Sequence, residues 1–372
     1  MPAAKEGRIT QFRNCLILWD HHLIREDFWI RGGKIIDPEK LFYEEQKAAD
    51  VVVECHGATI APGFIDVQIN GAFGVDFSVE TDDIRAGVAK VAKGLLSHGV
   101  TSFCPTIVTS LPDSYRKILP QIERRNGSSK GAGVLGVHLE GPFISPREKG
   151  AHTPEYITGF DHGFADLLTM YGSLDMVSIL TLAPELDNAL DIVQTLVSKG
   201  ITVSVGHSMA NLSEGEGGSE GWSDVHHPLV QCHAAISSPG PTSGWTSHQR
   251  PGLVLVTDAI AAMGLGYGVH RLGHQTIEVR DNKAVIAGTD NLCGSIATMN
   301  QCIQFLYENT ECDKVESLEA ATLHPAELLN ITDRKGTLDY DTDADFVILD
   351  SNSLSLLKTY IDGELVWTSG ET

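Results

Sequence analysis

Three apolar runs in this chain end on one polar side chain and then break. Val134 to Leu139 gives way to Glu140-Gly141-Pro142, Ile201 to Val205 is followed by Gly206-His207-Ser208, and Gly252 to Thr257 stops at Asp258-Ala259-Ile260. If these runs are neighbouring parallel strands, a Glu, a His and an Asp meet at one rim, where barrel enzymes gather their chemistry. A carboxylate and an imidazole are ligands for a divalent metal, and a second carboxylate in reach can accept a proton from water. Together they suit metal-assisted hydrolysis. Each residue also has a plainer reading. His207 can be a satisfied strand-end histidine, Glu140 a surface or helix-capping carboxylate, and Asp258 the N-cap of a helix over Ala259 to Met263. The Gly-Pro after Glu140 argues against a helix start there.

The elements that would position these groups alternate along the chain. Ala58 to Gly71 reads as a buried strand ending in polar groups. Residues 82–98 carry Ile84, Val88, Val91 and Leu95 at helical spacing, with Gly99 as a stop. A strand over 100–108, a helix over 113–124, the Glu140 strand, a strand over 176–182, a helix over 187–199 and the His207 strand follow. This is the pattern of an α/β parallel sheet with helical crossovers, and the single-polar-group strand ends favour a barrel, assigned to residues 61–335. Short alternating runs at Leu16 to Asp37, Gly336 to Asp350 and Thr359 to Trp367 predict hairpins at both ends. Residues 1–60 and 336–372 are therefore expected to pair into one small β-sandwich domain. Gly264-Leu-Gly-Tyr-Gly268 reads as a turn rather than a dinucleotide fingerprint, and Cys293 and Cys302 as small buried hydrophobes.

The bulk numbers exclude some partners. With 372 residues, 42% of them hydrophobic, the chain can bury one large core and a satellite. A formal net charge of −22 repels polyanions, so neither nucleic acid nor an anionic membrane is an expected partner. No apolar run approaches the roughly 18 residues of a membrane span, and the N-terminus has no signal-like apolar core. Seven scattered cysteines without a CxxC pair fit a reducing compartment, and a cytoplasmic location is expected.

Taken together, Ala61 to Gly71, His138 to Phe143, Lys149 to His152, Val205 to Ser208, Thr257 to Ile260 and Ala344 to Asp350 resemble the N-acetylglucosamine-6-phosphate deacetylases of the amidohydrolase superfamily. The resemblance implies a metal-dependent (β/α)8 TIM-type barrel and hydrolysis of the acetamide of an amino-sugar phosphate, giving glucosamine 6-phosphate and acetate. It implies Glu140 and His207 as metal ligands and Asp258 as general base and acid. Gln68 and Asn70 occupy the positions of the usual HxH pair, which points to one divalent metal ion, zinc-like in its preferences. Ala151 and His152 match sugar-contacting positions, and Leu292-Cys293-Gly294 matches a substrate loop in which Ser is usual at the Cys293 position. A homodimer stays open as the assembly. A cyclic amidase of the same superfamily is the weaker alternative, since Gln68 and Asn70 replace its histidines.

One departure stands out between Gly215 and Gly252. The resemblance calls for a third metal-ligand histidine in a THLFNAM motif, and no such motif is present. Reading permitted codons for Gly217 to Pro241 one base later recovers that motif, with Pro228 where the ligand His belongs. The expectation is a frame-shifted, aberrant segment over 217–251, with further residues deleted before Gly252. A barrel incomplete around strands six and seven would follow, because a missing strand leaves the ladder open. Such a product of the locus would be catalytically impaired, binding metal poorly and lacking stability.

Overall fold

Runs of apolar residues buried on both faces form the centre of the molecule. In the computed structural model, which describes residues 7–81, 83–210, 229–231, 252–272 and 275–370, every residue of Phe64–Ile69, Val137–Glu140 and Val177–Leu182 is buried. Continuous burial of this kind marks a parallel sheet covered on both sides. Phe64–Ile69, Val100–Val108, Val137–Glu140, Val177–Leu182 and Thr202–Val205 lie side by side in that order, all parallel. Helices Ile84–Leu95, Pro112–Ile118, Phe164–Tyr171 and Ala189–Ser198 fill the connections.

The sheet curls. Leu229–Gln231 pairs in parallel with Val254–Val256, and the chain beyond Val256 returns to the first strand: Asp258 N–H donates to Gln68 O at 2.9 Å and Asn70 N–H to Ala259 O at 2.8 Å. The ends of the first and last central strands therefore meet at the same rim as Glu140. The segment proposed as frame-shifted, 217–251, lies outside the described residues apart from Leu229–Gln231.

Local signals explain the helix boundaries. Asp83 caps the first helix by accepting from Ala86 N–H at 2.8 Å, and Gly99 at φ 77° ends the turn after it. The helix expected over 113–124 is shorter, Pro112–Ile118, and tightens into a 3-10 turn over Leu119–Gln121. Pro120 has no N–H to continue an α ladder. The strand expected over Val134 to Leu139 is split into Gly133–Val134 and Val137–Glu140, which pair with Ser102–Phe103 and Thr106–Val108 of one neighbour. The helix that Asp258 would have capped does not form; Ala259 makes a bridge to Ser295 and residues 261–264 turn.

Three further sheets complete the chain's main features. Gly268–Leu272, Gln275–Arg280, Lys283–Ile286 and Leu292–Gly294 make an antiparallel sheet that the sequence reading did not anticipate. Its middle turn is Asp281-Asn282, both left-handed at φ 50° and 56°, as a two-residue hairpin requires. Near the termini, Lys34–Ile35, Phe28–Arg31, Ile9–Arg13 and Val51–Glu54 form one sheet. Glu364–Thr368, Leu356–Ile361, Phe346–Leu349, Thr59–Pro62, Leu16–Trp19 and His22–Ile24 form another. Phe12, Phe28, Phe346 and Tyr360 pack between them, with ring centroids 4.5 to 5.9 Å apart.

Candidate active site

Glu140 ends its strand almost fully buried, and two imidazoles face one of its oxygens. His207 Nε2 lies 2.9 Å and His152 Nε2 3.7 Å from Glu140 Oε1. One ligand atom from each of the three residues falls within 4.8 Å of the others. Burial alone would raise the Glu140 carboxyl, yet hydrogen bonds from His152 and His207 hold it well below the usual carboxylate range. His207 moves the other way: its hydrogen bond to Glu140 raises it against burial, and Asp258 adds to the rise.

The outer atoms of both imidazoles are fixed. His207 Nδ1 lies 2.9 Å from the Glu148 carbonyl, which can only accept, so Nδ1 carries the proton. His152 Nδ1 lies 2.7 Å from Thr109 Oγ1, whose own hydroxyl donates to the Glu140 carbonyl at 3.5 Å; His152 Nδ1 is again the donor. With Nδ1 so held, Nε2 of each ring is the atom turned toward Glu140, the outer-shell arrangement that orients metal ligands. Gly141 makes room for it. At φ 72°, a Cβ there would stand 2.3 Å from Thr109 Oγ1. The Gly141 carbonyl is in turn held by the Tyr115 and Tyr171 hydroxyls at 3.2 and 2.9 Å. Beneath Glu140, the fully buried His138 donates from Nδ1 to Val67 O at 2.9 Å and accepts from Thr181 Oγ1 at 2.7 Å. It ties three strands together as a neutral ring whose pKa burial lowers.

Asp258 stands at the end of the strand that returns to Gln68. Asn70 Nδ2 donates to its Oδ1 at 2.6 Å and Gln68 Nε2 at 3.4 Å, so the two residues in the HxH positions orient this carboxylate. Asn70 Oδ1 is buried and has no hydrogen-bond partner among the described residues. Leu292–Gly294 reaches the same strand end through its neighbour Ser295, whose carbonyl accepts from Ile260 N–H at 2.9 Å. Leu292 is exposed, burial raises the Cys293 thiol, and Gly294 at φ 145° passes where a Cβ would be 2.7 Å from Ile260. Ala151 is an exposed turn residue beside His152.

The structure thus brings Glu140, His207 and His152 into one cluster and puts Asp258 in electrostatic reach of His207. His152, expected as a sugar contact, stands inside the reach of Glu140. Sequence reasoning missed Thr109, His138, Asp66 and Thr257. Asp66 alone gave a signal, as a charge in the middle of an apolar strand. Among the described residues no helix is long and apolar enough to cross a membrane.

Comparison with known proteins agrees with this architecture. The amidohydrolase family model matches residues 59–191 and 190–366. The chain is similar to N-acetylglucosamine-6-phosphate deacetylase of Rattus norvegicus, 49% identical over 398 positions that span 98% of this chain and 97% of the relative. It is also similar to the enzymes of that name from Homo sapiens, 48% identical over 98% of this chain and 97% of the relative, and Caenorhabditis elegans, 41% identical over 97% and 95%. An aligned length of 398 positions exceeds the 372 residues present, so the rat relative carries positions that face no residue here. Among solved structures, N-acetyl-D-glucosamine-6-phosphate deacetylase from Mycobacterium smegmatis superposes with a TM-score of 0.72 at 25% identity, covering 97% of this chain and 100% of that one. The chain belongs to the amidohydrolase family, among its N-acetylglucosamine-6-phosphate deacetylases.

Proposed function

We propose that this chain hydrolyses N-acetyl-D-glucosamine 6-phosphate to D-glucosamine 6-phosphate and acetate, using one divalent metal ion held by Glu140, His207 and His152. The observation that carries the reading is the cluster itself: one ligand atom each from a carboxylate and two imidazoles, within 4.8 Å of one another, beside Asp258, in a chain 49% identical to a deacetylase. One carboxylate and two imidazoles form a three-ligand donor set that leaves a position open, as catalytic zinc-type sites require. A bound metal would supply Lewis acidity to the amide oxygen and to water.

The chain's own residues supply the rest. Asp258, aimed by Asn70 and Gln68, takes the proton of the attacking water and returns it to the leaving amine. Asn70 Oδ1, without a partner among the described residues, is left as an acceptor for the substrate N–H. Poor metal binding was expected because the missing motif would have carried the third ligand. His152 offers a third donor from outside that motif, and this favours a working enzyme. The small terminal sheets, sharing the Phe12, Phe28, Phe346 and Tyr360 core, support the sandwich reading of 1–60 and 336–372. The curled parallel sheet supports a TIM-type barrel over 61–335. The described cysteines are all free, which supports the cytoplasmic reading. For 217–251, an uninterrupted genomic frame with no THLFNAM one base over would sink the frame-shift.

The decisive assay is acetate release from N-acetylglucosamine 6-phosphate by the full chain loaded with zinc, together with metal analysis. Acetate production with close to one metal per chain is expected. No turnover by a folded, metal-loaded chain would defeat the reading.

A further inference from the structure

We propose that Asp66 and Thr257 are positioning residues that clasp Asp258 into its working conformation. This rests on the reading of Asp258 as the proton acceptor. Asp66 is wholly buried in the interior of Phe64–Ile69, between Ile65 and Val67, where an unpartnered carboxyl would be costly. Besides Gln68 N–H of its own strand, 3.4 Å from Oδ1, its hydrogen bonds come from the segment just beyond Val254–Val256. Thr257 Oγ1 donates to Asp66 Oδ2 at 2.6 Å, and Thr257 N–H approaches Asp66 Oδ1 at 3.3 Å. The same hydroxyl oxygen accepts from Ala259 N–H at 3.3 Å. One buried threonine side chain therefore ties down both neighbours of Asp258 in sequence, while Asp258 N–H is held by Gln68 O at 2.9 Å.

The residue in the middle needs that restraint. Asp258 has φ 43°, in the left-handed region that non-glycine residues visit rarely and keep only where the surroundings enforce it. In that conformation its Oδ1 reaches Asn70 Nδ2 and Gln68 Nε2. Without the clasp, the backbone relaxes out of the left-handed well and the carboxylate leaves its place. The metal cluster does not share these hydrogen bonds, so loss of the clasp acts on the chemical step and spares metal loading.

The test compares Thr257→Val, which keeps the shape and removes the hydroxyl, with Thr257→Ser, which restores it, in the full zinc-loaded chain. Thr257→Val should lower kcat roughly 10- to 100-fold, the scale of a misplaced catalytic group, with KM and metal content close to the parent values. Thr257→Ser should recover most of kcat. Amide hydrogen exchange over residues 257–260 should quicken in Thr257→Val by more than over residues 137–140. If the valine variant does not fold, Thr257→Ala takes its place. Unchanged kcat or unchanged local exchange overturns the clasp, and so does a serine variant as poor as the valine one. Asp258→Asn is the control. If it is inactive while Thr257→Val is fully active, only the clasp fails; if it keeps full activity, the reading of Asp258 fails and the clasp with it.

Discussion

His207 Nε2 stands 2.9 Å from Glu140 Oε1 while the opposite nitrogen of the same ring is held 2.9 Å from the Glu148 carbonyl. The ring is thus clamped between a fixed acceptor and a buried carboxylate, and without metal the short contact is made by a proton on Nε2. In metal-free protein, Glu140→Gln should lower the His207 pKa, because the hydrogen bond to Glu140 is the largest cause of its rise. Proton NMR titration of the ring measures this. With zinc added, the same variant should lose most of its bound metal and nearly all turnover; metal retained at the parent level would remove Glu140 from the site.

Asp258→Asn should keep metal content and lose turnover roughly 10²- to 10⁴-fold, the usual range for removing a general acid-base. Asn preserves the shape but cannot take up the water's proton. A variant within about twofold of the parent kcat would take Asp258 out of the mechanism.

Thr109 touches no metal position, yet it sets which nitrogen of His152 is free. Thr109→Val removes the acceptor for His152 Nδ1–H, 2.7 Å away. Zinc affinity measured by competition with a chelator should fall roughly 10- to 100-fold, as for other outer-shell partners. Unchanged affinity would argue that His152 is a substrate contact and not a ligand.

A half-buried histidine and a buried aspartate tilt stability in opposite directions with pH. Burial pushes His98, packed on Phe73, down to about 4 from 6.5. Its contribution is present above the unfolded pKa and is lost as pH falls from about 6.5 through about 4. Burial pushes Asp66 up to about 7 from 3.8. Its contribution is complete below the unfolded pKa and is lost as pH rises from about 4 through about 7. Plots of Tm against pH should therefore flatten on the acid side of 6.5 in His98→Gln, and between about 4 and 7 in Asp66→Asn. Parallel curves for parent and variants would show that neither group carries the slope.

Phe346 is fully buried, 5.2 Å from Phe12, 5.0 Å from Phe28 and 4.5 Å from Tyr360. Phe346→Ala should cost about 3 to 5 kcal/mol in denaturant unfolding, as other buried Phe truncations do. The metal content of the folded fraction should stay at the parent level, since the Glu140 cluster lies in a different core.

Much of this site was written in the primary structure. The strand ends at Glu140, His207 and Asp258 were legible because an apolar run broken by one polar group has few other meanings in a parallel sheet. The break at Leu135-Gly136 was hidden because both flanks are apolar, so no change of period marks it. His152 could be placed in a motif but not in the Glu140 cluster, since its orientation depends on Thr109, on a different strand end and 43 positions away. The antiparallel sheet over 268–294 carries an Asp281-Asn282 turn, but its strands follow directly on a glycine run that has the composition of a loop. Asp66 shows only a charge in an apolar strand; its partner Thr257 is 191 positions away, beyond the reach of any local pattern.

The six-stranded terminal sheet sets an order on synthesis. Thr59–Pro62 takes Leu16–Trp19 as one neighbour and Phe346–Leu349 as the other, and Phe12 and Phe28 find their ring partners in Phe346 and Tyr360. The first sixty or so residues emerge from the ribosome long before those partners exist. Until then Thr59–Pro62 has an open edge and the two phenylalanines lack much of their cover, the kind of exposure that chaperones and proteases detect. A chain that stops short of Phe346 never closes that edge, so its own first strands mark it for removal.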